Sequence, residues 1–349
     1  MDWARGLAVI LMIQTHAIDA WLAPPFRQTG FFGKSQLLGG FPAPAFLFLA
    51  GLAMALGYGK TVSGSFGLWS KLWLSVKRGL QVLGMALLFR LQEFVQWTEW
   101  RQWQKIFKVD ILNTIGLSLI ILGVVFWAVR SDRWRLVLLL AGASALAVFT
   151  PLVQNSTMVQ SLPWLLGEYL GRHFNYGYFP VFPWLAFAFS GAVIGLLTAE
   201  YKTDRNKNAV LNLGLAGLAW VLIIEGNLWA KNITHPAGWS FWRNSPEYTF
   251  IRIGIQILVL SGSFMLCLLF KAQSFSFMRL LGRHSLLVYW VHITMVYGRP
   301  LFFLKLKLDP LQSGLGVLAL TGLMLGLAWL AENWRELWRE TKSKMAKQW

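Results

Sequence analysis

Apolar stretches of about 18–23 residues recur along the whole chain, each closed off by a short polar or charged interval, and at 1.5 Å per residue such a run covers a ~30 Å hydrocarbon core. Ten are predicted, at 3–23, 38–58, 72–91, 108–129, 134–153, 177–199, 208–229, 249–270, 281–299 and 313–332. The first, third and ninth carry the most polar residues. The pattern predicts an all-α, polytopic membrane protein with about ten transmembrane helices. VQSLPWLLGEYLGR at 159–172 is too short to span and reads as interfacial or re-entrant. No repeat of fixed period stands out. The chain therefore reads as one transmembrane domain over 1–333 and a basic, amphipathic tail over 334–349.

Composition supports the membrane reading. Of 349 residues 56% are hydrophobic and 13% charged, half the charged share of an ordinary soluble domain, roughly 25%. The 20 tryptophans suit the membrane–water boundary, where an apolar ring meets a hydrated edge. The net charge of +17 is spread singly between apolar runs, with no stripe or arm for nucleic acid; anionic lipid headgroups are the expected partner. Lys and Arg are more frequent in the loops on the N-terminal side, which predicts both termini in the cytoplasm.

Ionisable groups inside apolar runs are costly, so each is a candidate for function. In the first run His16 and Asp19 stand three apart on one helical face. A carboxylate one turn away can orient an imidazole and equip it as a general base; a structural pair is the plain alternative. Asp110 and Asn113 share a face at the start of the fourth run. Asn113 could hold a substrate or polarise a carbonyl, while Asp110 could equally cap the helix. In the ninth run Ser285, Tyr289 and His292 follow i, i+4, i+7 and line one face, with Arg283 and His284 at its inner end. That face is either a ligand path or a polar packing seam. No Walker A loop, G-x-G-x-x-G, HExxH or paired CxxC is present, and the five histidines have no metal-site spacing, so no metal is expected.

DWARGLAVILM (2–12), FPAPAFLFLAG (41–51), DILNTIGLSL (110–119), FPVFPWLAFAFSGAVIG (179–195) and LGRHSLLVYWVH (281–292) together resemble the heparan-alpha-glucosaminide N-acetyltransferase catalytic family. The chain is more distantly similar to acyltransferase-3 proteins, whose first-helix histidine has its counterpart in His16. The resemblance implies a bacterial cytoplasmic-membrane enzyme that moves an acetyl or other acyl group from cytoplasmic acyl-CoA to a carbohydrate-type acceptor at the outer face. With that implication the polar faces give His16, Asp19 and Asn113 as the expected catalytic set, an acyl-His16 intermediate staying open. Arg5, Asp110, Arg283, Ser285, Tyr289 and His292 would line the acyl-CoA path, and Lys77 and Arg78 would meet the CoA phosphates. The eukaryotic branch has Asn at the position of His16 and a histidine in the following loop. Here no histidine lies between His16 and His173, which favours direct transfer over an acyl-histidine on that loop. The rival reading is a transporter or channel for a small polar or anionic solute, using the same polar faces. Acceptor, acyl group and oligomeric state, a homodimer included, stay open.

Overall fold

A computed structural model of the chain describes residues 1–60, 68–97, 100–171, 178–201, 203–235, 239–269 and 276–346. Each of the ten apolar runs contains a helix: α1 (Asp2–Trp21), α2 (Pro42–Lys60), α3 (Leu68–Trp97), α4 (Ile111–Ala128), α5 (Asp132–Val148), α6 (Val181–Glu200), α7 (Arg205–Asn232), α8 (Pro246–Leu269), α9 (Ser285–Tyr297) and α10 (Pro310–Ala346). Among the described residues there is no strand beyond an isolated bridge, so the all-α membrane architecture holds.

Seven helical stretches among the described residues are long and apolar enough to cross a membrane. They are α3, α4, α6, α7, α8, the first part of α10, and Gly30–Tyr58, which joins a short helix (Gly30–Gly39) to α2. The other three runs fall short for different reasons. The α5 helix has 17 residues and opens with Asp132, Arg133 and Arg135, α9 has only 13, and α1 holds the polar cluster of the first run. The 159–172 stretch contains the seven-residue helix Trp164–Leu170, short as expected. Outward faces carry large apolar side chains such as Trp69, Val210, Leu311 and Leu318, a surface suited to lipid. The backbone of the expected tail is helical to Ala346; the side chains of 335–346 and residues 347–349 lie outside the described residues.

The helices group into two compact units, one of residues 1–42 with 270–349, the other of residues 43–269. The first has its closest approach where α1 meets the short helix Phe277–Arg283. A Cβ on Gly6 would lie 2.0 Å from the Met278 carbonyl oxygen, and one on Gly282 2.0 Å from that of Asp2. Only hydrogen fits there, the means by which membrane helices pack closely. Beyond α1 the backbone pairs with the segment before α10: Leu308 N–H donates to Trp21 O (2.9 Å) and Ala23 N–H to Leu308 O (2.9 Å).

In the second unit Gly51 on α2 and Gly191 on α6 form the corresponding crossing, each with room for a Cβ only inside the other helix's backbone. Arg135 closes the far end of α4. Its Nε and Nη2 donate to the carbonyls of Val129 (2.6 Å) and Phe126 (2.8 Å), a cation at a helix C-terminus where the dipole favours it. Arg252 on α8 stacks its guanidinium on the Tyr248 and Trp184 rings.

The ninth run departs from a single helix over 281–299. It breaks at His284, which ends Phe277–Arg283 and precedes α9. On a continuous helix adjacent side chains diverge by about 100°. The break lets neighbours Arg283 and His284 converge on Glu332 of α10, at 2.5 Å and 2.7 Å.

Candidate active site

In the first unit, α1 and α9 bring two histidines together. His16 Nδ1 lies 3.0 Å from His292 Nε2, and the two rings lie nearly coplanar and edge to edge, with centroids 5.2 Å apart and 8° between planes. His292 is fully buried, and its Nδ1 is 2.6 Å from the Val288 carbonyl oxygen, one turn earlier on α9. The Tyr289 ring meets His292 edge-on, and Tyr297 meets His16 the same way. His16 itself is half-buried, and its Nε2 has no hydrogen-bond partner among the described residues.

Asp19 does not orient His16, as its spacing had suggested. Its carboxylate accepts from Tyr297 Oη at 3.0 Å and faces Arg27 Nη1 at 3.7 Å. Arg27 also donates to the Asp19 backbone carbonyl and, through Nε, to that of Leu22. Arg5 pairs with Asp2 within the first turn of α1 (3.1 Å).

The second unit holds the other expected cluster. Asp110 caps α4 with its Oδ1, which accepts from the backbone N–H groups of Leu112 (3.0 Å) and Asn113 (3.2 Å). Asn113 Oδ1 accepts the Asp110 N–H in return (3.2 Å), a reciprocal capping box. The other Asp110 oxygen meets Arg90 Nη2 at 2.9 Å, and Asn113 Nδ2 donates to Tyr169 Oη (3.2 Å). Burial pushes the Tyr169 phenol up, so it stays protonated and neutral. Lys108, just before the cap, sits over the Tyr178 ring at 4.0 Å. Burial, with Arg90 adding repulsion, lowers its ammonium to about 8.

The remaining candidates are placed as follows. Lys77 and Arg78 are exposed well inside α3, because that helix starts at Leu68, earlier than the apolar run implied. Ser285 is the first residue of α9 and Tyr289 lies one turn on. Four partners escaped the sequence reading: Arg27, Arg90, Tyr169 and Tyr297. A signal existed for Arg90, a lone cation in MALLFRLQEF, since a buried charge calls for a counter-ion.

Residues 1–228 match the family model of heparan-alpha-glucosaminide N-acetyltransferase, catalytic. The chain belongs to this family. As a member of the heparan-alpha-glucosaminide N-acetyltransferase catalytic family it is an integral membrane protein of the acetyltransferase type. The match takes in His16, Asp19, Asp110 and Asn113 and ends before His292 and Tyr297. Comparison with curated proteins gives no match.

Proposed function

We propose that the chain transfers an acetyl group from acetyl-CoA to an amine or hydroxyl of a carbohydrate-type acceptor, with His16 as general base. One observation carries this reading within the family: the first-helix histidine is held through one ring nitrogen while the other is unoccupied. A base needs that arrangement, fixed in direction yet open to a substrate proton. In the proposed step His16 Nε2 takes the proton of the acceptor. The acceptor's heteroatom bonds to the acetyl carbon as the carbon–sulfur bond breaks. The CoA thiolate leaves with the electron pair and takes the proton back from His16.

The donor is proposed to be used from the cytoplasmic face and the acceptor from the opposite one, with both termini inside, in a bacterial cytoplasmic membrane. Arg283, Lys77 and Arg78 are the charge-based candidates for the CoA phosphates, since cations bind phosphate by charge-assisted hydrogen bonds. Arg283 is engaged by Glu332 and would exchange that carboxylate for phosphate. The family membership does not favour a transporter reading of the same polar faces.

The test is acetyl-CoA turnover by the full chain in lipid nanodiscs with glucosamine as acceptor. Acceptor-dependent CoA release that is lost in His16→Ala is the expected result. Uptake of acceptor into proteoliposomes without any CoA release would overturn it.

A further inference from the structure

The contacts of the two histidines determine which nitrogen carries which hydrogen. The Val288 carbonyl can only accept, so His292 Nδ1, 2.6 Å away, carries the hydrogen of that bond. Nε2 of the neutral His292 ring is then a lone pair, and it faces His16 Nδ1 at 3.0 Å. A lone pair needs a donor, so His16 Nδ1 carries hydrogen as well. The only assignment left for His16 Nε2 is the free lone pair. Reversing the His16–His292 bond would require a doubly protonated His292. That places a full charge on a completely buried ring in an apolar helix, where an unpaired charge is most expensive. The carboxylate near by, Asp19, is already engaged by Tyr297 and Arg27.

We propose that His292 is a positioning residue that locks His16 in the Nδ1–H tautomer and thereby makes His16 Nε2 the atom that receives the acceptor's proton. The inference rests on the acetyltransferase reading above. It assigns to α9 a part in the chemistry although α9 lies beyond the family match, which ends at residue 228. It also replaces the carboxylate usual beside a catalytic histidine with an uncharged ring. The near-coplanar rings add orientation to tautomer, because planes that differ by 8° align the hydrogen bond with the lone pair of His292, and the Val288–His292 bond ties the relay to one turn of a single helix.

The experiment combines a spectrum with kinetics, on the full chain in nanodiscs. Imidazole 15N shifts of histidine-labelled protein are expected to show His16 protonated on Nδ1 and bare on Nε2, with assignment by the signals lost in His16→Ala. In His292→Ala the His16 signals shift to the Nε2–H form, and kcat falls roughly 100-fold, less than the ~10⁴-fold cost of a wrong tautomer in a serine-protease triad. The KM for acetyl-CoA stays within about twofold, since a residue that only orients the base does not bind ground-state substrate. His292→Gln, whose side-chain oxygen can accept from His16 Nδ1–H, recovers at least about tenfold of that loss. A wild-type His16 already in the Nε2–H form, or His292→Ala with unchanged spectrum and kcat, would overturn the proposal. Wild-type protein with the expected spectrum but no transfer from acetyl-CoA would overturn the acetyltransferase reading and leave the His292 assignment supported.

Discussion

The two polar centres of this chain are built on opposite principles. At Asp110 both carboxylate oxygens are engaged: one closes a capping box, the other pairs with the Arg90 guanidinium, and Asn113 completes the box and reaches Tyr169. At His16 one valence is left over. Its ring is gripped through Nδ1 by an uncharged neighbour, and Nε2 stays open. A charged cluster with both carboxylate oxygens engaged, the saturated centre, holds helices in place; a ring with one nitrogen free can exchange a proton. Polar residues in an apolar chain are thus not of one kind.

The sharpest way to break this contrast is to remove one residue from each centre. His16→Ala should lower turnover by about 10²–10⁴-fold, the usual weight of a general base, with little change in thermal unfolding. Asp110→Ala should do the reverse at the level of the fold. It removes the carboxylate paired with the nearly buried Arg90 and costs on the order of 3 kcal/mol, read as a lower melting temperature in detergent. If Asp110→Ala unfolds no more easily, the saturated centre is not structural. Next in size, Tyr297→Phe removes the hydroxyl that holds Asp19 and should cost about 1 kcal/mol of stability. A drop in kcat as large as that of His16→Ala would move Asp19 and Tyr297 into the chemistry.

A separate prediction concerns pH. Lys108 releases its proton at about 8 when folded, whereas an unfolded lysine holds it to about 10.4. Between those values the unfolded chain binds more protons, so stability should rise with pH from about 8 to about 10. Melting temperatures measured at both ends of that window should differ less in Lys108→Met, and an unchanged difference would remove Lys108 from the account.

How much could be read from the sequence follows the range of each interaction. The apolar runs were legible because helix length against bilayer thickness is a local property, and each run does hold a helix. Asp110 was legible as a cap, since a capping box spans only four residues. Asp19 was misjudged because spacing alone favoured His16, while its partner Tyr297 lies 278 positions away. The break at His284 was invisible for the same reason: the carboxylate it serves, Glu332, is on another helix. Arg90 shows the middle case, a charge whose need for a partner was visible although the partner's identity was not.

The separation of 276 positions between His16 and His292 has a consequence for the making of the protein. Translation delivers the first helix early and its partner late, at about 5–20 residues per second, so roughly tens of seconds pass between them. Through that interval the nascent first helix carries a histidine with no tautomer imposed on it. Under the proposed chemistry the growing chain stays silent towards acetyl-CoA, and the enzyme comes into being only when its last third folds back onto its first turns.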